Sequence, residues 1–140
     1  MVENMILYQH GISMAGTFII NDGIINSISL RTGGNCTINS GQIEKITLSS
    51  DNKDIYLTIG DMNETLNNDN PQIGDISITS NDFAGITAII NFYNGIIKNC
   101  DIDIEDALLG RNDHGYVGTY NIRPGYKAQK TEEGIILVKE

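Results

Sequence analysis

The chain has 140 residues, 40% hydrophobic and only 19% charged, with 18 acidic against 9 basic side chains, a net charge of −9 and an isoelectric point near 4.5. That length holds one ordinary domain, and the apolar fraction excludes disorder over the whole chain. The acidic surplus repels phosphate backbones, so nucleic acid is not an expected partner. A membrane is not expected either: no apolar run is long enough to span one, and Met1 to Ile20 lacks the basic start, continuous apolar stretch and cleavage site of a secretion signal.

In chain order, Met5-Ile6-Leu7-Tyr8 reads as a first strand, followed by a link punctuated by Gly11 and Gly16. A repeat then begins. Ile20-Asn21-Asp22-Gly23 and Ile25-Asn26-Ser27-Ile28-Ser29-Leu30 align without gaps on Ile38-Asn39-Ser40-Gly41 and Ile43-Glu44-Lys45-Ile46-Thr47-Leu48, 18 residues later. Third and fourth copies are Ile73-Gly74-Asp75-Ile76-Ser77-Ile78, with Asn70-Pro71 as its turn, and Ile97-Lys98-Asn99-Cys100-Asp101-Ile102, preceded by Asn94-Gly95; their offsets are 30 and 24.

Residues two apart on a strand share a face, so Ile28 with Leu30, Ile46 with Leu48, Ile76 with Ile78 and Cys100 with Ile102 are expected to point inward. Ile25, Ile43, Ile73 and Ile97 lie three residues earlier, which requires a bend to bring them into the same core. Turn glycines at one phase complete the unit. The predicted fold is all-β: a short β-solenoid, like a parallel β-helix, whose copies bury their apolar faces on one another. The alternative is an antiparallel β-sandwich or barrel, since Asp22-Gly23 and Asn94-Gly95 are also hairpin signals that could pair Phe18–Asn21 with Ile24–Leu30.

Between the copies, Ile55 to Ile59 alternates as a strand, and Ala84 to Phe92 is apolar enough for a buried one. Helix is expected only as a turn or two in Asp61 to Leu66 and Asp103 to Leu109. The last strand is Gly134 to Val138. Residues 1–110 hold four basic and 14 acidic side chains, whereas 111–130 hold four basic and one acidic. The chain therefore divides into a repeat domain, 1–110, and a basic, Tyr- and Gly-rich arm with its terminal strand, 111–140. Tyr and Arg are the residues enriched at interface anchors, so Arg111, Tyr116, Tyr120, Arg123, Tyr126 and Lys127 are the candidate interface to a second copy. Folding of the arm back on its own subunit is the other outcome.

Candidate chemistry is sparse. Asp101, Asp103 and Glu105 would share one face of a strand, which reads as a solvated acidic face rather than a carboxylate pair or cation site. Asp61 to Asp69 imitates a calcium loop but has Leu66 where glycine is needed and Gln72 where the bidentate glutamate belongs, so it reads as an Asn/Asp turn. His10 and His114 stand in no triad or metal spacing. Ser29, Thr47 and Ser77 would form an outward hydroxyl row. Cys36 and Cys100 read as buried thiols, with a disulfide as the alternative. No catalytic residue, metal or cofactor is expected, and the chain is expected not to be an enzyme.

The I-x-x-I-x-[LI] copies with turn glycines, over residues 18–106, resemble β-helical and fibre modules of bacteriophage tail and capsid appendages. The resemblance implies a structural, self-assembling protein of a phage-like particle, a fibre, spike or capsid decoration, located in the virion after assembly in a bacterial cytoplasm. Its partners would be further copies of itself and other structural proteins of the particle. The alternative function is a carbohydrate-binding or adhesive β module, with a glycan as partner and a cytoplasmic location as the alternative to the virion.

Overall fold

The computed structural model describes residues 11–14, 16–49, 53–79, 88–111 and 117–140. The fold is mostly β, with one short helix. Its strands are β1 (Gly11–Met14), β2 (Thr17–Ile20), β3 (Ile24–Leu30), β4 (Asn35–Ile38), β5 (Gln42–Leu48), β6 (Ile55–Ile59), β7 (Gln72–Ile78), β8 (Ala88–Phe92), β9 (Ile96–Cys100), β10 (Val117–Ile122), β11 (Tyr126–Lys130) and β12 (Ile135–Lys139), with helix α1 (Ile102–Leu108) after β9. The expected strand at Met5–Tyr8, His10 and residues 84–87 lie outside the described residues.

From β1 to β11 the described strands alternate between two sheets. One has the order β1-β3-β5-β7-β9-β12-β11 and the other β10-β8-β6-β4-β2, and neither closes into a barrel. The hairpin pairing across Asp22-Gly23 does not occur, because β2 and β3 belong to different sheets. Each copy of the repeat instead pairs in parallel with the next, β3 on β5, β5 on β7 and β7 on β9. The exception is the end of the first sheet, where β12 lies antiparallel between β9 and β11.

Register follows the apolar pattern. Ile25, Ile43, Ile73, Ile97 and Ile135 form one row across the first sheet, and Ile28, Ile46, Ile76 and Cys100 another. In the second sheet the rows are Phe18, Cys36, Leu57, Ile90 and Tyr120, and Ile20, Ile38, Ile59, Phe92 and Ile122. Most of these side chains are buried and meet in one hydrophobic core. The bend demanded by the three-residue spacing lies at Asn26, Glu44, Gly74 and Lys98, the positions that the paired ladder skips. At Gly74 the neighbouring backbone comes so close that a Cβ would collide with the Glu44 carbonyl oxygen.

The irregular offsets have a simple origin. The short corners 21–23, 39–41, 93–95 and 123–125 have three residues each, while the equivalent corner 60–71 has twelve. The corners on the opposite side lengthen along the chain, from 31–34 through 49–54 and 79–87 to 101–116. Insertions sit at corners and leave the strand register untouched. The short corners stack through their backbones: Gln42 N–H donates to Gly23 O at 2.8 Å, Gln72 N–H to Gly41 O at 2.9 Å and Ile96 N–H to Pro71 O at 2.9 Å. Gly41 has φ of 117°, and a Cβ there would lie 2.7 Å from Gly23 O, so this corner needs glycine for both conformation and space.

One expectation fails at the fourth copy. Asp101 to Asp106 is not a strand face: Asp101 is the N-cap of α1, accepting the Asp103 N–H at 3.5 Å. Ile102, expected to point inward, is 68% exposed. Helical spacing places Ile104, Ala107 and Leu108 in the core instead, and an aspartate is a strong capping residue.

The rows predict an asymmetric mutational response. Ile46→Asp buries an unpaired charge and is expected to cost several kcal/mol, on the order of 3 to 5. Lys45→Asp, one position earlier and exposed, is expected to change stability by under about 1 kcal/mol. Gly41→Ala should cost at least about 1 to 2 kcal/mol from its positive φ alone. Denaturant unfolding monitored by circular dichroism measures all three.

Candidate functional site

The segment expected to be an arm supplies strands to both sheets. Tyr120 lies in β10, in register with the inward residue Ile90, and is half-buried. Tyr126, in β11, packs partly buried against the core. Arg111, Arg123 and Lys130 are engaged within the chain. Arg123 donates from its two terminal nitrogens to Tyr93 O at 3.0 Å and Glu64 O at 2.7 Å, and its guanidinium stands 5.4 Å from the Tyr126 ring centroid, within cation–π range. Arg111 faces Asp106 at 3.5 Å and Glu105 at 3.6 Å, and Lys130 reaches Glu105 at 2.8 Å. Lys127 is exposed. Tyr116, with Asp113 and His114, lies outside the described residues. Of the candidate interface residues that are described, Arg123 and Tyr126 meet, and Arg111 stands at the end of the helix beside Glu105 and Asp106.

The twelve-residue corner builds a feature that the repeat pattern did not announce. Its anchor is Asn94, 5% exposed. The Asn94 Oδ1 accepts from Asn67 N–H at 2.6 Å and Gly95 N–H at 3.1 Å, and Nδ2 donates to Thr65 O at 3.0 Å. Gly60 permits this contact, since a Cβ there would overlap Asn94. On the other side, Asn70 Oδ1 accepts from Gly41 N–H at 2.9 Å while its Nδ2 donates to Ser40 Oγ at 2.9 Å. Arg123 holds the loop at Glu64. Asp61 closes a small turn by accepting the Asn63 N–H at 2.8 Å, which is the Asn/Asp turn the sequence suggested.

Between this loop and the stacked corners lies an open concavity of about 370 Å³, lined by Asn21, Asn39, Ser40, Asp61, Glu64, Thr65, Asn67, Asn70 and Asn94. Asn39 Nδ2 donates to Asn21 Oδ1 at 2.8 Å, an amide ladder along successive corners. The signal in the sequence was the Asn after Ile20 and Ile38 at the same phase of the repeat. Nothing in the sequence placed the 60–71 loop over it.

Ser29, Thr47 and Ser77 stand in register and are half-buried. Cys36 and Cys100 are free thiols. Burial pushes each thiol up from 9.0 to about 12, assisted at Cys100 by the nearby Glu105 carboxylate. Among the described residues no group of three metal-ligating side chains converges, and no helix is long and apolar enough to cross a membrane. No protein-family model, curated protein or solved structure matches the chain.

Two predictions come from this site. Asn94→Ala leaves the Asn67 N–H unpaired and is expected to cost about 1 to 3 kcal/mol, with faster amide exchange over 61–70 than in the strands. The thiols, neutral in the fold and ionisable once unfolded, contribute stability that is whole below pH 9 and is lost as pH rises toward about 12. Thiol labelling of the native protein at pH 8 should be slow at Cys36 and become fast on unfolding.

Proposed function

We propose that the chain is a short β-solenoid with a non-enzymatic, structural role, self-assembling as a fibre, spike or capsid decoration of a phage-like particle made in a bacterial cytoplasm. The observation that carries this reading is how the inward rows end. In the second sheet the row running through Cys36, Leu57 and Ile90 begins at Phe18 on β2 and finishes at Tyr120 on β10. Both aromatic rings are half-buried, and among the described residues each of these strands pairs on one side only. All five strands of that sheet are parallel, so β10 of one copy and β2 of the next have the right direction to continue it. Addition of a strand to an open edge is a common mode of assembly.

The two exposed edges at the C-terminal end differ in a way that favours one of them. β11 carries exposed Lys127 and Lys130, and edge lysines oppose further pairing. The β10 sequence, Val-Gly-Thr-Tyr-Asn-Ile, has no charge. Of the carboxylates that might have served catalysis, Asp101 caps α1 and Glu105 pairs with Arg111 and Lys130, which supports a non-enzymatic reading. Joining through backbone pairing and aromatic contact, rather than through charges, makes the assembly insensitive to salt.

Sedimentation velocity at high micromolar concentration tests the reading. The natural chain is expected to form oligomers that persist in high salt, and Thr119→Lys, an exposed change on the β10 edge, to shift it to monomers with an unaltered melting temperature. A monomeric natural chain, or oligomers indifferent to Thr119→Lys, would defeat the proposal. Ending the chain at Leu109 is not a usable control, because it removes the buried Ile135 and Leu137.

A further inference from the structure

We infer that the concavity under the 60–71 loop is a binding site for a neutral saccharide, taking the terminal sugar of a glycan by hydrogen bonds to its hydroxyl groups. The inference does not depend on the assembly proposed above, since the site lies at the corners and not at the β10 edge.

Three observations support it. First, the lining offers both donors and acceptors that the fold leaves unused. Among the described residues, Asn21 Nδ2, Asn67 Nδ2, Asn39 Oδ1, the Glu64 carboxylate, the second oxygen of Asp61 and the Thr65 hydroxyl have no hydrogen-bond partner in the chain. A sugar hydroxyl donates and accepts at once, so a mixed set of amides, carboxylates and a hydroxyl matches it group by group. Second, the charge selects. Asp61 and Glu64 line the concavity and, among the described residues, no cationic side chain does, which disfavours sialic acid, uronic acids and phosphate.

Third, the walls are fixed before any ligand arrives. Asn94 holds residues 65 and 67, Arg123 holds the Glu64 carbonyl, and Asn70 ties the loop to Ser40 and Gly41. Preorganised groups lose little entropy on binding. The volume of about 370 Å³ is at the small end of ligand sites, roughly 300 to 1,000 Å³, and suits a terminal sugar. Beyond the Ser40–Asn70 ridge a second hollow of about 480 Å³, with Asp22, Gln42, Asp69 and Gln72 on its walls, gives a following sugar somewhere to lie. Among the described residues no aromatic ring lines either hollow, so affinity rests on hydrogen bonds and is expected in the millimolar range, about 1 mM.

The experiment is a two-dimensional amide NMR titration of the full chain with glucose, galactose, N-acetylglucosamine and maltose, with N-acetylneuraminate and calcium chloride as separate arms. The expected result is saturable shifts confined to the residues around the two hollows, 21–24, 39–42, 61–72 and 94, with at least one neutral sugar. The double variant Glu64→Gln, Thr65→Val should weaken that binding about tenfold or more while its spectrum outside the loop stays unchanged. If the pair disturbs the loop, Asp61→Asn, which keeps the turn-closing oxygen, is read in its place. No shift with any neutral sugar, shifts elsewhere on the fold, affinity undiminished in folded variants, or a response to N-acetylneuraminate or calcium alone would each overturn the inference. Thr119→Lys should leave the titration unchanged, so failure here and failure of the assembly reading are separately visible.

Discussion

Parallel, in-register stacking of aliphatic rows is the constraint from which the rest of the structure follows. A single copy of the repeat offers only three inward side chains and cannot bury them alone. Laid on its neighbour, it places Ile28 against Ile46 and Ile46 against Ile76, and these three side chains become fully buried. Each is worth roughly 1.5 to 3 kcal/mol relative to exposure, and a slip of one residue would turn a whole row toward water. Register is therefore held wherever a strand runs. Variation is confined to corners, where an insertion changes no row.

That division of labour explains where chemistry can sit. The strands are committed to packing, and their outward positions carry joints such as Asn121 Nδ2 to Asn91 Oδ1 at 2.7 Å and Asn91 Nδ2 to Thr58 Oγ1 at 3.0 Å. The 60–71 corner is free of the repeat's register but not of the fold. Its polar backbone would be costly to bury without partners; Asn94 and Arg123 supply them from two other corners, and the loop's own Asn70 ties it to Ser40 and Gly41 on a third. A side chain from the last part of the chain, Arg123, thereby fixes a loop in its middle. The concavity is a product of the whole stack and could not form in an isolated repeat.

The strands were legible because a two-residue alternation interrupted by a bend has few other solutions, and because the Gly23, Gly41 and Gly95 turns recur at one phase. Parallel stacking could be argued from the same residues but not separated from hairpins, since Asp-Gly and Asn-Gly serve both. Register with Ile43 and Ile73 decides between them, and that is a tertiary property. Ile102 misled for a related reason. Its spacing fits the repeat, yet Asp101 is a good helix cap and Ile104 and Leu108 have helical spacing, so local capping and a better apolar stripe prevailed over the repeat. Composition left two outcomes open for the arm, docking on a second copy or folding back on its own subunit. Its cations were counted against the acidic total, whereas the residues they meet, Glu105, Asp106 and two backbone carbonyls, are specific neighbours that no charge count identifies.

The end of the stack shows what those cations do. A parallel sheet can continue indefinitely unless its last strand is blocked, and reversal is one way to block it. The chain leaves β10, lays down β11 in the direction of β9, and then inserts β12 antiparallel between them. Ile135 and Leu137 close the aliphatic core, and Lys127 and Lys130 charge the new edge, with Lys130 tied to Glu105 on α1. Among the described residues the second sheet has no such reversal and β10 carries no charge. If both edges were meant only to end the fold, the same devices would be expected on both. Their concentration on one sheet leaves β10, with Tyr120 half-covered in the inward row, pairing on one side only among the described residues.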